Sequence, residues 1–227
     1  MDIDSLKNKI EISPNTRSIS YINQYNDFWA WKIWVEQECD GHILDAGHIN
    51  DTCKRLFKIL PRWQTYRGVK CNLEKELPLA LTTIADAYNT IRRYSLLEFQ
   101  QIPDKPLRLI WDTLGRIKEK NGISSNKTEY FIIAVCKPLM FIWGQTLAFD
   151  SINRFNIRKD DALVITKTHL RANRWSYLYW KNLMLEFQRE LLKSPEIVDY
   201  CKKHSKQVFA TDLVVPYGRY LDLYYYY

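Results

Sequence analysis

Residues 130–144 have the sequence YFIIAVCKPLMFIWG, in which Lys137 is the only charged residue. This run is longer than an ordinary buried strand and ends at a glycine, the usual residue just beyond a helix C-terminus. It is shorter than the roughly 20 apolar residues that a membrane-spanning helix needs. The run therefore predicts a buried core helix over 130–143 that stops at Gly144, in a protein without a membrane segment.

The sequence on both sides of this run also has helical periodicity. Apolar residues recur at steps of three and four, the spacing of one helix face. Such patterns cover 22–38, 51–60, 74–99 (one helix or two), 106–121, 148–158 and 171–192. The best short strand is Leu163–Thr166, and Asp212–Tyr227 is predicted as a helix or an extended tail. We expect an all-α fold with at most a minor β element, forming one compact domain over residues 1–227. Two lobes around a cleft, with a boundary near Gly122, remain an alternative.

Composition narrows the class of protein. The 227 residues carry a formal net charge of +7, and only seven are glycine. The hydrophobic content is that of a folded globular chain, and the scarcity of glycine argues against Gly-rich nucleotide folds. The five cysteines form no C-x-x-C pair, so no zinc site or disulfide framework is expected. With no apolar signal segment visible, we expect a cytoplasmic protein with reduced thiols.

The positive charge indicates an anionic partner, with nucleic acid the first candidate. Alternatively, the positive charge serves only to keep the protein soluble. Six basic residues are concentrated between positions 154 and 174, a pattern that suits contact with phosphates or an ordinary solvated face. These residues are Arg154, Arg158, Lys159, Lys167, Arg171 and Arg174.

Lys137 and Asp150 are the strongest candidates for residues with a chemical role. A buried lysine is costly unless it is paired, and burial lowers its pKa. An aspartate that begins a helix is stabilised by the free N–H groups there. A turn between two helices separates Lys137 from Asp150 along the chain. We expect the two side chains to converge across this turn. The alternative is a purely structural pair, with Asp150 acting as an ordinary N-cap.

Residues 131–154 resemble the helix–hairpin–helix DNA glycosylase superfamily. There, a lysine begins the helix after the hairpin, and a catalytic aspartate follows a short Ala/Phe-Pro-Val-like approach. Lys137 matches the lysine, Ala148-Phe149-Asp150 match the approach and the acid, and Arg154 matches a downstream basic residue. The glycine hairpin of the family is not present, and residues 124–127 would have to replace it. The segment also resembles a bacterial phage-defence branch, some members of which are described as removing glucosylated hydroxymethylcytosine from phage DNA.

The resemblance implies an N-glycosylase that flips a modified base out of double-stranded phage DNA and leaves an abasic site. Asp150 would stabilise the positive charge that develops on the deoxyribose and orient the attacking water. Lys137 would act either as an amine nucleophile at C1′ or, in a weaker role, as a phosphate contact or a charge that tunes Asp150. Neither a metal nor a cofactor is expected, and the protein is expected to be a monomer.

A second basic cluster interleaved with aromatic residues follows Pro61. Arg62 and Arg67 are candidate DNA contacts there, and Trp63 and Tyr66 are candidate base-stacking residues. The alternative is a solvated turn with aromatic residues in the core. His42, Asp45 and His48 are interpreted as a polar loop rather than a metal site, because the ligand set is incomplete. The competing function is a non-enzymatic helical DNA-binding module.

Overall fold

The computed structural model describes residues 1–11, 19–66, 72–119, 129–165, 167–209 and 214–226. Within these ranges the chain forms ten α-helices and two three-residue strands. The helices are α1 (Ile3–Glu11), α2 (Ile19–Gln37), α3 (Ile49–Arg62), α4 (Leu73–Ile91), α5 (Asp104–Glu119), α6 (Ile132–Trp143), α7 (Ser151–Lys159), α8 (Tyr177–Leu192), α9 (Pro195–Phe209) and α10 (Tyr217–Tyr226). The strands are β1 (Glu129–Phe131) and β2 (Arg174–Ser176), and 3₁₀ helices cover Leu96–Gln101 and Lys167–Arg171. The predicted all-α class with a minor β element is confirmed.

Helix α6 is the predicted core helix, and every residue in it except Ile133 is buried. Gly144 ends it in the left-handed conformation, with φ of 80°, and donates its N–H to the carbonyl of Met140 at 2.8 Å. The predicted start at residue 130 is wrong. Tyr130 instead pairs with Trp175 in the antiparallel β1–β2 ladder, and its ring lies against Gly115 in α5, where a Cβ would not fit. A long-range contact thus overrides the local helical pattern.

Other boundaries differ for similar reasons. The helix predicted from residue 171 begins at Tyr177, because residues 174–176 pair as β2 and the Ser176 hydroxyl caps α8. The pattern predicted over 74–99 ends as an α-helix at Ile91, and a Ser95–Glu98 capping box starts the 3₁₀ helix after it. Leu163–Ile165 form no strand, while Thr166 lies outside the described residues. The tail after residue 212 contains α10.

One continuous apolar core connects the helices. It extends from Leu6 in α1 to Tyr225 in α10 and includes most of α6. The proposed lobe boundary near Gly122 and the residues that would replace a hairpin, 124–127, lie outside the described residues. No helix in the described ranges is long and apolar enough to cross a membrane.

The chain between α6 and α7, residues 144–149, is buried throughout and is called the buried linker below. Side chains satisfy its polar groups. Gln145 accepts from the N–H of Leu96 at 2.8 Å and donates to the carbonyl of Val215 at 2.9 Å. The indole N–H of Trp180 donates to the Thr146 hydroxyl at 3.2 Å. Helix α10 packs so closely on this linker that a Cβ at Gly218 would lie 2.2 Å from the backbone nitrogen of Thr146.

We predict that Gly218→Ala destabilises the protein by about 1–3 kcal/mol or more, because the clash is with backbone atoms that cannot rotate away. Gly47→Ala is the matched control, since a Cβ there meets nothing within 4 Å. Its free energy of unfolding should stay within about 0.5 kcal/mol of wild type. Urea denaturation measures both. Equal stabilities of the two variants would contradict the close packing of α10 on the linker.

Candidate functional site

Asp150 is the N-cap of α7, as the structural alternative for this residue predicts. Its Oδ1 accepts hydrogen bonds from the backbone N–H groups of Ile152 at 2.9 Å and Asn153 at 3.1 Å. The side chain is half-buried, and Oδ2 accepts no hydrogen bond from the described part of the chain. One carboxylate oxygen therefore holds the helix, while the other has no hydrogen-bond partner among the described residues.

Phe149, directly before Asp150, has a left-handed backbone with φ of 52°. This conformation is rare for a bulky residue and stores strain on the order of 1–3 kcal/mol. The ring is fully buried, with centroids 5.0 Å from Trp175 and 6.4 Å from Phe187. Packing of the ring thus imposes the backbone geometry at the point where the buried linker turns into α7, and it fixes where Asp150 begins the helix.

Lys137 lies in α6 with only 7% of its surface exposed. Its ammonium donates a hydrogen bond to the carbonyl of Trp63 and lies 5.9 Å from the centre of the Trp63 ring. Burial lowers the pKa of Lys137, and the charges of Asp150 and Asp222 oppose that shift. No ion pair within 4.0 Å joins Lys137 to Asp150, although both residues are described. The predicted convergence is therefore electrostatic rather than a direct contact.

Asp222 and Arg219, in α10, form a buried ion pair that sequence reasoning did not identify. Asp222 Oδ1 also accepts the N–H of Ala148 in the buried linker at 2.9 Å. Burial raises the pKa of Asp222, with Arg219 acting in the opposite direction. The Arg219 guanidinium lies 5.2 Å from the centre of the Trp63 ring. The only sequence signal for the pair was an arginine three residues before an aspartate in a tyrosine-rich segment.

These residues define one cluster of charges beneath α7: Lys137, Asp150, Arg219 and Asp222. Two buried atoms beside it, Arg219 Nε and Asn153 Oδ1, have no hydrogen-bond partner among the described residues. Other buried side-chain atoms in the described chain also have no hydrogen-bond partner, so this feature is not specific to the cluster. Chemically, the cluster offers one available carboxylate oxygen, at Asp150, on a rigid support of buried charges.

The described residues contain no group of three or more His, Cys, Asp or Glu side chains that could hold a metal ion. His42 Nε2 accepts a hydrogen bond from the Arg92 guanidinium at 2.6 Å, and His42 Nδ1 lies 3.0 Å from an Asp45 carboxylate oxygen without a hydrogen bond to it. His42, Asp45 and His48 lie in the turns between α2 and α3, as the polar-loop interpretation predicts.

The six basic residues between 154 and 174 do not form one surface. Arg154 is 7% exposed, and its guanidinium donates to the carbonyls of Asp150 and Ala172 and to the Asn173 side chain. This corrects its prediction as a phosphate contact, because it connects α7 to the segment before β2. Lys167 pairs with Asp161 at 3.0 Å.

Four others keep cationic groups near the surface. Arg174 lies 4.0 Å from the centre of the Phe131 ring, and Arg171 is exposed. Arg158 and Lys159 lie on α7 and are considered with Phe155 below. Of the six phosphate contacts predicted in this stretch, Arg158, Lys159, Arg171 and Arg174 therefore remain candidates.

The cluster after Pro61 also differs from expectation. Trp63 is 3% exposed and packs edge-on against Phe141, with ring centroids 4.9 Å apart. It is therefore a core residue and not an open stacking surface. Arg62 is exposed and pairs with Asp27 at 2.6 Å. Tyr66 is half-buried, and Arg67 lies outside the described residues.

Helix α7 presents an exposed apolar pair that the sequence did not single out. Ile152 and Phe155 are 44% and 45% exposed, one helical turn apart and next to the Asp150 end of the helix. Two cations flank the Phe155 ring, with Lys159 Nζ 4.0 Å and Arg158 Cζ 5.3 Å from its centre. An exposed aromatic ring between two cations combines a stacking surface with phosphate-binding charge.

Comparison with protein-family models, with curated proteins and with solved structures finds no match to this chain. The function therefore has to be argued from the site itself.

Lys137→Met tests the buried charge without any assumption about function. Because burial lowers the pKa of Lys137 below its ordinary value of 10.5, the unfolded chain binds more protons between the folded value and 10.5. The contribution of Lys137 to the free energy of unfolding should therefore increase as pH rises through this window. Wild type should gain stability relative to Lys137→Met as pH rises toward 10.5.

Urea denaturation at several pH values gives this difference, and the exposed Lys202→Met variant serves as the control. The same pH dependence in both variants would contradict the effect of burial at Lys137.

Proposed function

We propose that this protein is a DNA N-glycosylase in which Asp150 is the catalytic carboxylate. The observation that carries the proposal is the available Oδ2 of a half-buried aspartate, fixed at a helix N-terminus by strained backbone and supported by buried charges. The resemblance of residues 131–154 to the glycosylase superfamily supports the same assignment. The proposed substrate is double-stranded phage DNA with modified cytosine, and the proposed role is antiphage defence by a cytoplasmic monomer.

The reaction needs little from the protein beyond charge and position. As the C1′–N bond breaks, its electron pair leaves with the base and positive charge develops on the deoxyribose. Asp150 Oδ2 would face that charge and orient a water molecule. The water oxygen then bonds to C1′, and one water proton is transferred to the departing base or to solvent. A carboxylate already held by two backbone N–H groups requires no reorganisation for this task.

Lys137 is assigned a supporting role in this proposal. Its ammonium is buried and bonded to the Trp63 carbonyl, so it is not presented for attack on a sugar. It acts on Asp150 through its charge. Of the roles that the sequence left open, tuning of the carboxylate is the one compatible with this burial.

The exposed face of α7 supplies contacts for a flipped nucleotide. An enzyme that acts on a base in a duplex has to extrude that base, and apolar wedges commonly fill the gap. Phe155 and Ile152 are exposed beside Asp150 and suit this purpose. Arg158 and Lys159, both near the Phe155 ring, suit the adjacent phosphates.

Asp150→Asn separates catalysis from capping. Asparagine caps a helix about as well as aspartate, so the free energy of unfolding should change by less than about 0.5 kcal/mol. Loss of the carboxylate charge should lower base release by at least about 100-fold. Release of free base from glucosylated hydroxymethylcytosine DNA, measured by mass spectrometry, reports activity.

Asp150→Ala is the companion variant, in which both functions are lost and stability falls by about 1 kcal/mol. Undiminished base release by Asp150→Asn would remove Asp150 from the mechanism.

Schiff-base chemistry gives a second test. Because the Lys137 amine is buried, incubation of the enzyme with its DNA substrate and sodium borohydride should trap no covalent protein–DNA adduct. The product should be an intact strand with alkali-labile abasic sites. A trapped adduct that disappears in Lys137→Met would overturn the supporting role assigned to this lysine.

A non-enzymatic DNA-binding module is the second candidate. It is favoured by the fact that both key residues already have structural partners: Asp150 caps α7, and Lys137 bonds to Trp63. Salt-sensitive duplex binding without base release from any modified DNA would support this candidate.

A further inference from the structure

Helix α3 carries a row of basic side chains that the proposed reaction does not use. Lys54, Arg55, Lys58 and Arg62 are all exposed and recur at helical spacing, so they share one face, called the α3 stripe below. The opposite face of α3 is buried in the core through Leu56 and Leu60. From Lys54 to Arg62 the stripe is about 12 Å long, at about 1.5 Å per residue.

The α3 stripe lines a groove between α2 and α3. Two carboxylates, Asp27 and Asp51, face its four basic side chains there, so positive charge is in excess. Asp51 pairs with Lys54 at 2.9 Å and Asp27 with Arg62 at 2.6 Å. Exposed pairs of this kind contribute little stability, and a phosphate can compete with the carboxylate for each cation.

The two central cations of the stripe are not neutralised by a carboxylate. Lys58 has no ion pair among the described residues, and the Arg55 guanidinium lies 4.4 Å from the centre of the Trp34 ring. An arginine stacked on an aromatic ring keeps its charge and loses rotational freedom, which favours binding of an anion. The centre of the stripe is thus its strongest candidate for phosphate contact.

The stripe ends at the site described above. Arg62 is followed by Trp63, whose carbonyl accepts the hydrogen bond from Lys137 and whose indole N–H donates to Asp27 at 3.4 Å. Asp27 therefore contacts both the last cation of the stripe and the residue bonded to Lys137. Asp27 and Trp63 thus connect the end of the stripe to Lys137 through direct contacts.

We infer that the α3 stripe is a second contact surface for the phosphate backbone of double-stranded DNA. The inference rests on the proposed function, but it concerns binding and not chemistry. An extended row of cations fits a linear polyanion, whose phosphates repeat along the strand.

The test is the double variant Arg55→Gln/Lys58→Gln. Within the described ranges neither residue pairs with a carboxylate, so neither change leaves an unpaired acid there. Lys202→Gln/Lys203→Gln is the control, because it removes the same charge from exposed positions on α9. Duplex binding is measured by fluorescence anisotropy with a short DNA duplex from about 50 to about 300 mM salt, and circular dichroism confirms folding.

Each phosphate contact contributes about 0.9 to the slope of log K against log salt, so loss of two contacts should reduce the slope by roughly 1.8. Affinity at about 100 mM salt should fall at least about tenfold in the stripe variant. The control variant should keep a slope close to that of wild type.

Equal slopes in the two variants would contradict DNA contact by the α3 stripe. They would not contradict the proposed enzyme activity. A reduced slope in the stripe variant, in a protein that releases no base, would support the stripe and contradict the enzyme. Absence of duplex binding by wild type would overturn both. Binding of wild type to phosphatidylserine vesicles instead of DNA would assign the stripe to membranes and overturn the inference.

Discussion

The hydrogen bond from the N–H of Ala148 to Asp222 is the interaction on which the rest of the site depends. Residues 144–149 cross the interior as non-helical backbone, which cannot satisfy its own polar groups. Asp222 supplies an acceptor, and Arg219 offsets the charge that this places in the core. Helix α10 is therefore held against the buried linker, and the start of α7 is fixed with it.

Burial shifts the pKa values of the ionisable groups beneath α7 in opposite directions. Burial disfavours charge, so it lowers the pKa of Lys137 and raises that of Asp222. The opposite charges of Lys137 and Asp222 attract each other, and this attraction partly offsets both pKa shifts. Removing one member would leave its partners buried and less well compensated, which is more costly than never burying them.

The features predictable from sequence were those set by local chemistry. An apolar run closed by a glycine predicts α6, and an aspartate before a helical segment predicts the cap at Asp150. Arg154 and Trp63 could not be placed in this way, because contacts distant in sequence with Ala172 and Phe141 bury them. The Arg219–Asp222 pair was hidden for the same reason. Nothing in α10 itself shows that its partner is the backbone of residue 148.

The capping role of Asp150 and its proposed catalytic role need not compete, because they use different oxygens. Oδ1 accepts both cap hydrogen bonds, and Oδ2 accepts none from the described chain. A cap alone would not require left-handed backbone at a buried phenylalanine, since most N-caps are reached through ordinary extended geometry. The strain at Phe149 costs stability that capping cannot explain. Packing of the Phe149 ring against Trp175 and Phe187 imposes it, and the proposed catalytic role would use the carboxylate position that results.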